Sequence, residues 1–215
     1  MNRLSNFFGG IQLLEERDSP HNGKLSVVRN VAWGTYIQAG GLTQSGGIVE
    51  SIWKDVFKSL PKDNISKVLI LGLGGGTIAK LGHKKWSEAK ITGVDIDPIM
   101  VDLGKKYLGL KEGKTEIIIS DAFEYCQKQD SKKKKFDLIF VDLYQGDKFP
   151  EKFETDNFIH LVRRLLAREG LVMFNRLYGG SRRGDAVRFR EKLERIFKEV
   201  DLIYPEANIV MVCSK

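Results

Sequence analysis

Val68-Leu-Ile-Leu-Gly-Leu-Gly-Gly-Gly-Thr-Ile-Ala-Lys80, written VLILGLGGGTIAK, runs from an unbroken apolar segment through four glycines in five residues into a helical pattern. An apolar run without alternation reads as a strand buried on both faces. Glycines at its end remove the Cβ atoms that would hold a ligand away from the backbone, and the helix that follows offers unpaired N–H groups. Gly72, Gly74 and Gly76 spell GxGxG. The dinucleotide fingerprint GxGxxG would need glycine at Thr77, and a Walker loop would need Gly-Lys-Ser/Thr. The competing reading of this stretch is a tight strand-to-helix turn with no ligand.

Working outward, apolar runs alternate with helical patterns through KVLILGL, ITGVDI, TEIIIS, FDLIFVD and LVMFNRL. Strands alternating with helices predict right-handed crossovers and a doubly wound α/β core with a mostly parallel, Rossmann-like sheet. The end differs, because DLIYPEANIVMVCSK holds two strands with only a short Pro-containing connection, which predicts an antiparallel hairpin. Seven strands closed by such a hairpin resemble the class I S-adenosylmethionine-dependent transferase fold. Before the core, IQLLEE, GKLSVVRN and TYIQAGG are short alternating segments separated by Ser19-Pro20 and Asn22-Gly23 and read as a small antiparallel β-unit. Ile48, Ile52, Val56, Phe57 and Leu60 then mark one face of a helix. The expected division is residues 1–46 for the β-unit and 47–215 for the Rossmann-like domain.

Three acids stand at the ends of successive core strands: Asp95 in GVDIDP, Asp121 in ISDAF and Asp142 in IFVDLY. Open α/β sheets bind ligands in the crevice outside the carboxyl ends of their strands, and a carboxylate there can accept both ribose hydroxyls. Asp95 is placed for the ribose and Asp121 for the adenine edge, with the following residues Ile96 and Ala122 in the same cofactor-binding set. Each acid also has a plain reading as a helix N-cap or solvated strand end. Together the three indicate an adenosine-containing ligand.

The segments EERDSPHNGKLSVVRN, AGGLTQS, LILGLGGGT, GVDIDPIMVDLGKKYLG, ISDAFEYC, FDLIFVDLY and FETDNFIHLVRRLLAREGLVMFN resemble, in order, the spermidine synthase and spermidine-synthase-like family. The correspondence runs from about Leu14 to Asn175. The resemblance implies a small β-unit ahead of the transferase core. It implies a nucleoside loop at Gly72, Gly74, Gly75 and Gly76, a cofactor-side glutamine at Gln44, and ribose and adenine acids at Asp95 and Asp121. It also implies a catalytic aspartate at Asp142, and Asp142 with Tyr144 are the candidate catalytic residues, placed to hold a cationic amine and accept its proton.

The departures fall on the other half of the site. The family commonly carries an aspartate inside the glycine loop, GGGDGG, which anchors the amine end of the nucleoside; Gly74 takes that place here. Ile52 and Trp53 stand at about the positions of a Tyr-His pair, and the usual SSDP run after the catalytic aspartate reads Leu143-Tyr-Gln-Gly146. The nucleoside half is retained and the polyamine half altered. The resemblance therefore implies aminopropyl transfer from decarboxylated S-adenosylmethionine to a polyamine amine. Methyl transfer from S-adenosylmethionine to an unidentified acceptor is the first alternative, and a noncatalytic nucleoside-binding protein the second. No Asn/Asp-Pro-Pro-Tyr follows the fourth core strand, so methylation of a planar base amine lacks its usual signature.

Composition bounds the rest. At 215 residues, 42% hydrophobic and 29% charged, the chain has the balance of a globular protein with a substantial core. No apolar run approaches the ~20 residues that span a bilayer. The start MNRLSNFFGGIQLLEERD shows no cleavage pattern, so a cytoplasmic location without membrane contact is expected. The net charge of +7 makes RNA a weaker option, because much of the excess sits in Lys132 to Lys135 and Arg176 to Lys198, which read as solvated loop and helix. Cys126 and Cys213 have no CxxC spacing and read as core residues, so no metal is expected. The histidines read as surface or packing groups, and the Phe189, Leu193, Ile196 and Phe197 stripe as core. A homodimer through the N-terminal unit is an option that the resemblance alone raises.

Overall fold

A computed structural model describes residues 10–215; the first nine residues of the expected N-terminal unit, half of the start read above for a leader, lie outside the described residues. Four strands, β1 (Ile11–Ser19), β2 (Gly23–Asn30), β3 (Gly34–Ala39) and β4 (Leu42–Gly46), form an antiparallel meander. Alternation identifies the first three. The fourth, LTQSG, has no apolar alternation and forms because Gly40-Gly41 returns the chain along β3. Helix α1 (Gly47–Ser59) follows and buries Ile52, Trp53, Val56 and Phe57.

The core sheet has the order β10-β11-β9-β8-β5-β6-β7. Its elements are β5 (Lys67–Leu71), α2 (Thr77–Lys85), β6 (Lys90–Asp95), α3 (Pro98–Tyr107), β7 (Thr115–Ile119), α4 (Ala122–Ser131), β8 (Phe136–Val141), α5 (Asp156–Leu165), β9 (Leu166–Leu177), α6 (Arg183–Ile196), β10 (Glu199–Ile203) and β11 (Asn208–Ser214). Strands β9, β8, β5, β6 and β7 run parallel, and the last two strands add the antiparallel hairpin.

The continuous apolar runs follow from burial on both faces. Leu69, Leu71, Ile139 and Val141 pack with α4, α5 and α6, whereas Val68, Ile70, Leu138 and Phe140 pack with α1 and α2 on the other side. The Phe189, Leu193 and Phe197 stripe is buried in the first of these layers, with Ile196 packed against it. A third apolar cluster joins the small sheet to the core, with Leu25, Val27, Ile37 and Ala39 against Met100 and Leu103 of α3. This fixes the small sheet over the carboxyl ends of β5 and β6.

The chain leaves β5 toward β6 and β7, then returns to lay β8 on the other side of β5. That reversal opens the sheet at a switch point, where two neighbouring loops diverge and leave a crevice. Among the described residues no helix is long and apolar enough to cross a membrane, and no group of three His, Cys, Asp or Glu side chains is placed to hold a metal ion.

Candidate active site

The glycine loop leaves β5 at Gly72, whose φ of 87° suits glycine. A Cβ there would overlap the Asp142 carbonyl, because the loops after β5 and β8 touch; the Asp142 amide also donates to the Leu71 carbonyl at 2.8 Å. The Gly74 amide donates to Asp95 Oδ2 at 2.6 Å, and the Gly75 amide to Ser45 Oγ at 3.1 Å. Ser45 Oγ and Thr77 Oγ1 share a 2.8 Å hydrogen bond, and the Gly46 amide donates to Thr77 Oγ1 at 2.8 Å. Strand β4 is thus stitched to the start of α2. Thr77, which spoils the dinucleotide fingerprint, has a structural role in this stitch.

The aspartate of the family loop needs a correction. Laid residue against residue from Gly72, GLGGGT on GGGDGG puts that aspartate at Gly75, one place beyond Gly74. Gly75 has no room for one: a Cβ would come within 2.7 Å of Leu108 Cδ1, 2.9 Å of Ser45 Oγ and 3.0 Å of Ile37 Cδ1. An acid is absent from both positions.

Asp95 ends β6 beside the loop. Its Oδ2 accepts from Gly74, and its Oδ1 accepts from the Asp97 amide at 2.9 Å. Burial pushes its pKa up to about 6 against these two amide bonds, with the nearby Asp97 charge adding to the rise. Each carboxylate oxygen has a second lone pair, which leaves both able to accept from a further donor without displacing either amide. Asp97 is fully buried; its Oδ1 caps α3 through Ile99 and Met100, while its Oδ2 accepts from Ser19 and Asn22 at 2.6 Å each. This bond places Asn22, read from sequence only as a turn former, on the wall of the crevice.

Asp121 is more constrained than an adenine-facing acid need be. Its Oδ1 caps α4 through the Phe123 and Glu124 amides, at 2.8 and 3.3 Å, and its Oδ2 pairs with Lys152. Burial opposes ionisation of Asp121, but Lys152 and the two amides outweigh it and hold the carboxyl below the usual range. The N-cap reading therefore holds beside the crevice reading. Lys152 comes from a short 3-10 helix, Glu151–Glu154, that closes over this end.

Asp142 is the deepest of the three. Asn175 Nδ2 donates to its Oδ1 at 2.9 Å, and Trp53 Nε1 to its Oδ2 at 3.1 Å. Asn208 Nδ2 in turn donates to Asn175 Oδ1 at 2.8 Å. Burial raises the pKa of Asp142, and the two side-chain donors offset part of the rise. Trp53 fills the place of the expected Tyr-His pair. Asn175 sits in LVMFN at the end of the resemblance, but its role and that of Asn208 had no signal in the sequence. Tyr144 is a different matter: its hydroxyl oxygen accepts from the Leu177 amide at 2.7 Å, and burial pushes its pKa up to about 12. A phenol so held does not serve as a base near neutral pH, and Tyr144 is a wall residue stacked edge-on against Phe149.

The crevice gathers Gln44, the loop residues Gly72 and Gly74, Asp95 with Ile96, Asp121 with Ala122, and Asp142. Gly75 and Gly76 do not line it; they pack against Leu108 and Leu110 and shape the turn. Gln44 Nε2 donates to the Gly146 carbonyl at 3.1 Å and so ties β4 to the loop after β8. A second pocket adjoins the first behind Asp142, with Ile48, Ile52, Trp53 and Leu177 among its walls. Asp142, Trp53, Gln44 and Tyr144 line both.

A doubly wound sheet with a glycine loop, strand-end acids and a second pocket behind one buried carboxylate is the ligand-binding arrangement of open α/β folds. The sequence pattern of the spermine/spermidine synthase domain matches residues 54–204, more than half of the chain, and the protein belongs to that family. A polyamine aminopropyltransferase of Sulfurisphaera tokodaii is 27% identical over 165 residues, 72% of this chain and 54% of that protein. An eEF1A lysine and N-terminal methyltransferase homolog of Drosophila melanogaster is 29% identical over 123 residues, 54% of this chain and 18% of that protein. The chain thus spans about half or less of these curated relatives. The crystal structure of spermidine synthase from Thermotoga maritima superposes with a TM-score of 0.79 at 19% identity, covering 94% of this chain and 72% of that one. That likeness shows the fold, including the N-terminal unit.

Proposed function

We propose that the chain transfers an alkyl group from a nucleoside of the S-adenosylmethionine type to an amine nitrogen held at Asp142, the group being aminopropyl and the amine that of a polyamine. The observation that carries this is the position of Asp142, whose side chain lines both the nucleoside crevice and the pocket behind it. Relatives named as polyamine aminopropyltransferases support the choice of group.

When bound, the nucleoside supplies an electrophilic carbon on a positively charged sulfur. Attack by a neutral amine forms the N–C bond while the S–C bond breaks with its electron pair left on sulfur, and the displaced amine proton passes to Asp142. A carboxylate with a raised pKa binds that proton more readily than an exposed one. Trp53 and Asn175 hold its two oxygens in fixed directions, which contributes orientation. Asp95 and the bare backbone of the glycine loop fit the ribose and the tail of the nucleoside.

Methyl transfer is the second reading, favoured by charge. Beyond Asp95, which the Gly74 amide and the ribose occupy in this reading, and Asp142, kept for the acceptor, the crevice around the glycine loop offers Gln44, Ser45 and Thr77, all neutral, and no acid at Gly74 or Gly75. The zwitterionic tail of S-adenosylmethionine is net neutral and suits such a lining, whereas the bare ammonium of the decarboxylated form would lack a partner. Calorimetry with the two nucleosides, followed by mass analysis of the amine product, separates the readings. A tenfold preference for the decarboxylated form, about 1.4 kcal/mol, with an added aminopropyl group supports the first. A tenfold preference the other way with an added methyl group replaces it. Binding without transfer to any amine would leave a nucleoside-binding protein.

A further inference from the structure

The polyamine half of the site is altered in sequence, yet the pocket behind Asp142 is not without charge. Asp142 lines it at one side, Ile48, Ile52, Leu177 and Ala207 give it an apolar stretch beside the neutral polar groups of Thr43, Gln44 and Asn208, and Glu206 lines it from the turn between β10 and β11. No lysine or arginine lines it. In a protein with a net charge of +7, two carboxylates lining one pocket whose other walls are apolar or neutral make a local site for cations.

Glu206 has two further features. Its backbone has a φ of 49°, the left-handed region that glycine or asparagine occupies at lower cost. Its turn is held by the Tyr178 amide donating to the Ala207 carbonyl at 2.8 Å and by the Asn208 amide donating to the Pro205 carbonyl at 3.0 Å. Asn208 also carries the hydrogen-bond relay through Asn175 to Asp142, so the same turn anchors both ends of the pocket. Among the described residues the Glu206 carboxylate is exposed and has no ion-pair partner.

We propose that Glu206 is a specificity-determining residue of the acceptor pocket, holding the far ammonium of a diamine whose near nitrogen lies at Asp142. It thereby supplies, from a different part of the chain, an acceptor-side acid where the SSDP aspartate is replaced by Gln145. The inference rests on the amine-transfer reading above. The methylene stem of the diamine lies against Ile48, Ile52 and Leu177, and only the far nitrogen keeps its proton.

The test compares 1,4-diaminobutane with n-butylamine, which shares the near nitrogen and the stem but has no far charge. Binding of each is measured by calorimetry with the thioether nucleoside product present, alongside transfer kinetics. For the parent, the diamine binds more tightly than the monoamine. Glu206→Gln raises the diamine Kd and KM by about two- to fivefold, the range expected for an exposed ion pair, and leaves the butylamine values and the nucleoside Kd unchanged. Glu206→Gly suits the left-handed turn and should reproduce the loss without lowering the melting temperature. Equal binding of diamine and monoamine by the parent, or equal losses for both amines in the variants, overturns the role of Glu206. Failure of the parent to bind the nucleoside overturns the amine-transfer reading itself; nucleoside binding with neither amine bound overturns the assignment of this pocket as the acceptor site.

Discussion

Asn175→Ala removes one of the two donors that hold Asp142. The Asn175 amide lies 2.9 Å from Oδ1, and Trp53 alone would remain, at 3.1 Å from Oδ2. A hydrogen bond to an ionised group contributes about 1.5 to 3 kcal/mol, and one pK unit corresponds to about 1.36 kcal/mol, so the pKa of Asp142 should rise by roughly one to two units more. Asp142 must be ionised to accept the amine proton, so activity falls as pH drops through its pKa. The acid limb of the kcat profile should therefore move up by about one to two units, with the high-pH plateau retained within a few-fold. Stability carries the same sign. A carboxyl whose folded pKa lies above its unfolded value loses stability as pH rises from the unfolded pKa through the folded one, and the variant extends that loss to higher pH. Initial rates and melting temperatures across pH measure both. An unmoved acid limb, with a melting temperature lowered equally at every pH, would refute the view that Asn175 tunes Asp142 and leave it a packing residue. Asn208→Ala, one bond further out, should move the limb in the same direction by less.

Asp142→Asn keeps the shape and removes the proton acceptor, so turnover should fall on the order of 10²-fold or more while the nucleoside Kd hardly changes; a rate within a few-fold of the parent would end the catalytic assignment. Asp95→Ala should weaken nucleoside binding by roughly 1.5 to 3 kcal/mol in a folded protein. Because the Asp95 pKa stands at about 6 and the ionised form is the better acceptor for ribose hydroxyls, affinity in the parent should climb as pH rises through about 6 and then level off; a flat calorimetric profile in Asp95→Ala checks the source. Lys152→Ala frees Asp121 Oδ2 and should tighten nucleoside binding by about two- to fivefold if that acid meets the adenine amine. Gly72→Ala places a Cβ on the Asp142 carbonyl at a φ of 87° and should lower both melting temperature and nucleoside affinity, read by calorimetry and thermal melts.

The alternation of apolar runs with helical patterns was enough to specify a doubly wound sheet, because strands covered on both faces need apolar residues at successive positions and crossovers need helices. The same local rules marked Asp95, Asp121 and Asp142, since a strand-end acid is a property of a few neighbouring residues. What those acids do depends on groups far along the chain. Asp121 is spoken for by Lys152, thirty-one residues on, and Tyr144 by the backbone of Leu177. Asp142 is held by Trp53 from α1 and Asn175 from β9, and it meets Glu206 across a pocket only because the hairpin β10–β11 folds back beside β9. Strand β4 was missed as a strand for a related reason: LTQSG has no apolar period, and it is held by pairing with β3 and by Ser45 and Thr77 at the glycine loop. Periodicity and turn chemistry report on the chain's own neighbours, whereas hydrogen-bond partners, burial and pKa are set by whichever segments the core brings into contact.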